Sequence, residues 1–197
     1  MDFKPMQIDV GRPASYSVER RWYALSLRSR YEKKAHADLV SRGIESFLPL
    51  IEEVHVWSDR KKRVQEPLFR GYLFVRTDLR DRISILQTPG VVRFVQIGAH
   101  LSSIPERQID WMRIMIGHPT SVKREPFLSS GEKVRVIGGL FQGVEGIVIS
   151  VTGSTRVVLS LACIAQSVSV EVSPALLERL PTVRTSRVTS SAAEFTR

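Results

Sequence analysis

Apolar and polar positions change rhythm twice along this 197-residue chain. Residues 22–27, WYALSL, are a short apolar run and predict a buried strand. Tyr31, Ala35 and Leu39 then recur every four residues, which predicts a helix with one face toward a core. Ser29-Arg30-Tyr31-Glu32 fits a capping box at its start, and Gly43 stands where a left-handed residue closes a helix. Residues 47–50, FLPL, read as a strand whose proline puts it at an edge or an end. Positions 54–57 alternate into a polar tip at 58–62, and 63–66 return as the second arm of a hairpin. A strand at 68–76, a helical piece at 81–87, a turn at Thr88-Pro89-Gly90 and a strand at 91–95 follow. A second capping box, Ser103-Ile104-Pro105-Glu106, opens a helix with Ile109, Met112 and Ile116 on one side and Gly117 at its end. Interleaved strands and helices predict an α+β layer, with helices on one face of a mainly antiparallel sheet.

At His118 the helical period stops. Residues 118–127 are polar and proline-bounded, as in a linker. From Lys133 only short strands are predicted, at 134–137, 146–151, 156–161 and 167–172, with Gly153-Ser154 as a tight turn; so few residues in short strands make a small β-barrel. The expected organisation is a loose arm at 1–17, an α+β domain at 18–117, the linker, a β-barrel domain at 128–180 and a polar tail at 181–197 with little to bury.

Composition narrows the chemistry. The chain is 43% apolar, which suits a folded soluble protein, and 29 Lys plus Arg against 20 Asp plus Glu give a formal charge of +9, which suits a phosphate-rich partner. No apolar run approaches a bilayer span and the N-terminus lacks the pattern of a signal peptide, so a cytoplasmic protein without membrane association is expected. The single cysteine, Cys163, and the scattered His36, His55, His100 and His118 offer no disulfide and no metal-ligand spacing. A Walker loop and a nucleophile elbow are missing too, so a monomeric, non-enzymatic protein without cofactor or metal is expected.

Residues 131–148, GEKVRVIGGLFQGVEGIV, resemble the KOW motif over its whole length. Gly139, Gly143 and Gly146 fall where its turns and close backbone approaches require glycine, Gly131 opens it, and Phe141 is its buried aromatic. Upstream, the segment FRGYLFVR at 69–76 and the residue after it resemble the base-stacking strand of an RRM: of the eight pattern positions, Arg70 to Thr77, six fit, but Leu73 and Thr77 depart from it. Tyr23 and Tyr72 also lie forty-nine positions apart (72 − 23), too far for the paired RRM strands. WYAL at Trp22, FRGYLFV at Phe69 and TPGVVRFV at Thr88 instead resemble, in order and spacing, the signatures of the NusG N-terminal (NGN) domain, and a KOW domain follows as it does there. The resemblance spans residues 18–180 and points to a NusG-type transcription elongation factor, closer to the RfaH and UpxY-like antiterminators than to housekeeping NusG. An alternative, a ribosome-associated KOW-domain RNA-binding protein, leaves the three N-terminal signatures unexplained.

The resemblance implies an NGN domain plus an SH3-like KOW barrel, and it implies partners. Tyr23, Phe69, Arg70, Gly71 and Tyr72 would border a cavity that grips the clamp helices of the largest RNA polymerase subunit, with Arg70 standing where the family usually has proline. Arg28, Arg30, Lys33 and Lys34 would lie near the non-template DNA strand, with Gln87 and Thr88 placed to read bases. The four cations at 60–63 would approach duplex DNA or the opposing polymerase subunit. Against these stand plain readings: core aromatics, a solvated helix face, a turn and a soluble tip. The loop through which NusG proteins dock the ribosomal protein NusE or the termination factor Rho corresponds to Ala162-Cys163-Ile164, which has neither the aromatic nor the cation of the family's Phe-Gly-Arg, so the resemblance does not carry that docking over.

Overall fold

A computed structural model of the chain describes residues 19–56, 61–118, 122–126, 131–151 and 154–181. The expected arm at 1–17, the hairpin tip at 57–60, the turn at 152–153 and nearly all of the tail lie outside these residues.

Strands β1 (Arg21–Leu27), β2 (Ser46–Phe47), β5 (Tyr72–Thr77) and β6 (Val91–Phe94) form an antiparallel sheet in the order β2-β5-β1-β6, and β9 (Ser103–Ile104) pairs with the start of β1. The central strands are apolar on both sides. Trp22, Ala24 and Phe74 belong to one hydrophobic cluster, whereas Tyr23, Leu25, Leu73 and Val75 belong to another. A sheet of this kind needs cover on both faces. Helices α1 (Glu32–Ser41) and α2 (Arg82–Leu86) cover one with Ala35, Leu39 and Ile85, and α3 (Glu106–Ile116) covers the other with Ile109, Met112 and Met115. The α+β class is as expected, but the helices occupy both faces rather than one.

Neither predicted capping box forms. Arg30 takes a left-handed backbone (φ 68°), which moves the N-cap of α1 to Tyr31, and Ser103 is drawn into β9, leaving Pro105 as the N-cap of α3. Gly43 behaves as expected. At φ 73° it lets its own N–H reach the Val40 carbonyl (2.9 Å) and that of Ile44 the Leu39 carbonyl (3.0 Å), a Schellman closure. Strands β3 (Leu50–Val56) and β4 (Lys61–Pro67) form the predicted hairpin, and β7 (Gln96–Ile97) and β8 (His100–Leu101) make a smaller one.

The C-terminal KOW part is a six-stranded antiparallel sheet in the order β10-β14-β13-β12-β11-β15, from β10 (Val122–Glu125), β11 (Lys133–Val136), β12 (Glu145–Val151), β13 (Ser154–Leu161), β14 (Gln166–Glu171) and β15 (Leu177–Arg179). Strand β10 corrects the linker expectation: Val122 is buried and the segment pairs with β14 along its whole length. A buried network fixes it there. Arg156, 3% exposed, donates from Nε to the Ser169 hydroxyl (2.7 Å), and that hydroxyl donates to Glu125 on β10 (2.6 Å). The N-terminal and C-terminal parts share one hydrophobic cluster, from Trp22 and Phe74 through α3 to Val134 and Val157, and the His118 ring meets Phe141 edge-on at 5.6 Å.

Candidate functional site

The FRGY segment is a turn that leads into β5, not the start of a continuous strand. Tyr72 N–H donates to the Phe69 carbonyl (3.2 Å), and Gly71 supplies a positive φ of 78°. The turn is held from two sides: the Gly71 carbonyl accepts from Leu27 N–H on β1 (2.8 Å), and its N–H donates to Glu32 Oε1 on α1 (2.7 Å). Glu32 is thus buried for a purpose other than capping. Phe69 is almost fully buried, edge-on to Phe74 at 5.8 Å. Arg70 is exposed and pairs with Glu53 on the hairpin (3.3 Å).

Four of the five proposed polymerase-contacting residues, Phe69, Arg70, Gly71 and Tyr72, therefore sit in one turn. Tyr23 does not join them. It is buried on the opposite sheet face against Phe94, at 6.1 Å edge-on, because Trp22, not Tyr23, shares the Phe74 side. The open side of Tyr72 lines a cavity of about 360 Å³ with Ser26 and Arg93, closed across the gap by Cys163, Ile164 and Ala165 of the C-terminal part. Those residues lie in a 3₁₀ turn between β13 and β14; Cys163 is half-buried, and burial pushes its thiol pKa up.

Arg124 on β10 fastens this arrangement. Its guanidinium donates to the carbonyls of Pro67 (2.8 Å) and Leu68 (3.0 Å) and pairs with Glu53. Sequence reasoning missed it, since a cation in a polar stretch before Pro126 carries no sign of carbonyl partners more than fifty residues upstream.

The basic candidates divide. Arg28, Arg30, Lys33 and Lys34 are all exposed, but only Arg30 and Lys33 line a cleft of about 540 Å³ that runs beside Glu32, Glu66 and Arg70 between α1 and β4. Lys33 Nζ donates to the Gln65 carbonyl there (2.7 Å), while Lys34 lies over the Tyr31 ring at 6.0 Å. Gln87 is exposed at the end of α2; Thr88 is 2% exposed and its hydroxyl is taken by Arg42. Lys61, Lys62 and Arg63 are exposed on β4, and Arg60 lies outside the described residues.

In the C-terminal sheet Gly139 and Gly143 adopt φ of 79° and 88°, and Gly131 packs directly on Ile147. Gly146 is different: its φ is ordinary, but a Cβ would run into the Val158 carbonyl. Phe141 is a core aromatic, 5% exposed. Among the described residues no cluster of His, Cys, Asp and Glu has the arrangement of a metal site, and no helix is long and apolar enough to cross a membrane.

Residues 20–113 match the family model described as Transcription termination factor nusG. Relatives named Transcription termination/antitermination protein NusG align over both parts of the chain. That of Borreliella burgdorferi is 29% identical over 154 residues, covering 68% of this chain and 84% of the relative. That of Thermus thermophilus is 29% identical over 163 residues (71% and 89%), and that of Pseudomonas aeruginosa 26% over 177 residues (83% and 100%). A solved structure described as Domain interaction in Thermotoga maritima NusG is 20% identical, with a TM-score of 0.48, over 83% of this chain and 98% of that one. The N-terminal signatures lie inside the matched region, and the chain is similar to NusG proteins over most of its length.

Proposed function

We propose that this chain is a transcription elongation and antitermination factor, with residues 18–117 as its NGN domain and 128–180 as its KOW domain. The Phe69–Tyr72 turn docks on the clamp helices of RNA polymerase, and Arg30 and Lys33 meet the non-template DNA strand in the adjoining cleft. The observation that carries this reading is the pre-formed turn. Its backbone is tied to β1 and α1, so Tyr72 and Arg70 are presented without ordering cost on binding, beside a cleft that supplies cations for a phosphate backbone. Tyr23, behind the sheet, contributes by supporting Phe94 and β6 and not by contact.

No chemistry is required of such a factor. A surplus affinity of about 1.4 kcal/mol for the productive state of polymerase shifts the ratio of paused to active complexes tenfold. The C-terminal part lies across the Tyr72 side, so docking there requires it to move away. The test is transcription by purified polymerase with and without the protein, on templates with and without the leader of its own operon. Longer read-through on every template supports a general factor, and read-through only with the leader supports a recruited antiterminator. Full polymerase affinity in Tyr72→Ala would remove the docking surface from this account.

A further inference from the structure

The four-residue spacing groups Tyr31 with Ala35 and Leu39 on the buried face of α1, yet those two are fully buried and Tyr31 is 37% exposed. What the ring rests on is main chain. Gly90 lies so close that a Cβ there would run into the root of the Tyr31 side chain, and the Gly90 carbonyl accepts from Arg28 N–H (2.8 Å). The turn that carries Gly90 is itself braced. Val91 N–H donates to the Thr88 carbonyl (3.0 Å), and the Thr88 hydroxyl accepts from Arg42, which also donates to the Ser84 carbonyl (2.9 Å). An open aromatic ring seated on a fixed turn is in place before anything binds, so a contact to it has little ordering cost.

The surroundings narrow what that contact is. Arg28, Arg30, Lys33 and Lys34, all exposed, lie within three positions of Tyr31 in the chain. Against these four cations stand two acids, Glu32, which accepts from Gly71 N–H, and Glu66 across the cleft that Arg30 and Lys33 line; Asp38 pairs with Arg42 and Glu53 with Arg70. Lys34 Nζ stands 6.0 Å from the centre of the Tyr31 ring, at the outer limit of a cation–π contact, so exchanging the ring for a phosphate costs it little. Gln87, also exposed, closes α2 just ahead of the same turn. Cations around an open aromatic ring suit a single strand, whose bases are free to lie on the ring as those of a duplex are not. We infer that Tyr31 is a stacking platform for one unpaired base of single-stranded DNA, with Arg28 and Lys34 on the flanking phosphates. The inference rests on the reading of Arg30 and Lys33 as contacts of the non-template strand and adds the residue that takes a base.

Fluorescence anisotropy with the full-length protein tests this, using a labelled thymidine dodecamer, an abasic dodecamer of equal charge and a duplex of equal length. The wild type should bind the thymidine strand about tenfold more tightly than the abasic one. Tyr31→Ala should lose most of that preference, and so should Tyr31→Leu, which keeps bulk against Gly90 without a π face and serves should the Ala variant fail to fold. Tyr31→Phe and Tyr31→Trp should keep it. The slope of log affinity against log salt should be unchanged in the Tyr31 variants and shallower by about 0.7 in Lys33→Gln, since only the latter removes a phosphate contact. Duplex affinity should be the same in Tyr31→Leu as in the wild type, a readout that a merely structural role of the ring would move. Equal wild-type affinity for the thymidine and abasic strands, a preference that survives Tyr31→Leu, a loss in Tyr31→Phe as large as in Tyr31→Leu, or an equal loss on duplex would overturn the platform. In each of those cases a slope still flattened by Lys33→Gln would leave the DNA reading standing. A wild type that binds none of the three probes would remove that reading and the platform with it.

Discussion

The carboxylate of Glu32, in the first turn of α1, accepts the backbone N–H of Gly71 at 2.7 Å, joining a helix to a turn thirty-nine residues further on. The bond is charge-assisted, and Glu32 is 5% exposed, so little water competes for it. Glu32→Ala leaves a part-buried amide without an acceptor and should cost about 1.5–3 kcal/mol in chemical denaturation. Glu32→Gln keeps the shape and one acceptor oxygen and should cost less than half of that. If both variants lose the same amount, the contact acts through packing and not through the hydrogen bond.

The same contact shows where the sequence was legible and where it was not. Signals that act within a few residues read correctly: the apolar run of β1, the Ala35 and Leu39 spacing, the Gly43 closure and the paired glycines around Phe141. A Ser-x-x-Glu pattern is equally local, yet it failed at Ser29 because Arg30 adopts a left-handed backbone and Glu32 has a better partner in Gly71. The separation of Tyr23 from Phe69 follows from the pairing of Tyr23 with Val75, a register no single segment contains. Arg124 was invisible for a related reason, since its acceptors are main-chain carbonyls and carbonyls leave no trace in residue type.

Two glycines of the KOW segment should respond differently to alanine. Gly143 sits at φ 88° with open space around its Cα, so Gly143→Ala incurs only the left-handed backbone penalty of about 1–2 kcal/mol. Gly146 has ordinary backbone angles, but a methyl there meets the Val158 carbonyl on the paired strand, and main chain yields less readily than a side chain. Gly146→Ala should cost about 3 kcal/mol or more. Thermal melts of the two variants check the order, and a larger loss at Gly143 would contradict it.

Cys163 offers a chemical readout of the closed arrangement. Burial raises its pKa, so at pH 7.5 less of it is thiolate than for a free cysteine, and modification by a disulfide reagent should be slower than that of a model thiol. The folded-state pKa lies above the unfolded value. The neutral thiol's contribution to stability is therefore complete below the unfolded value of about 8.5 and is lost as pH rises through the folded one. Stability measured from pH 7 to 10 should fall more in the wild type than in Cys163→Ser. Equal slopes would mean that the thiol is no harder to ionise in the folded protein than in the unfolded chain.

Arg124→Ala bears most directly on function. The guanidinium donates to the Pro67 and Leu68 carbonyls and pairs with one carboxylate oxygen of Glu53, whose other oxygen pairs with Arg70. Its removal breaks the fastening while leaving intact the network that holds β10 in its own sheet, because Glu125, Ser169 and Arg156 are untouched. The sheets should therefore melt almost unchanged, whereas amides of the Phe69–Tyr72 turn shift and Cys163 reacts faster. If the fastening contributes about 1.4 kcal/mol to the closed form, and polymerase binds only the open one, affinity for polymerase should rise about tenfold. A titration of both proteins against purified polymerase, read beside the Cys163 rates, separates the outcomes. Faster Cys163 with unchanged polymerase affinity would place docking away from Tyr72, and unchanged values of both would show that Arg124 does not hold the two parts together.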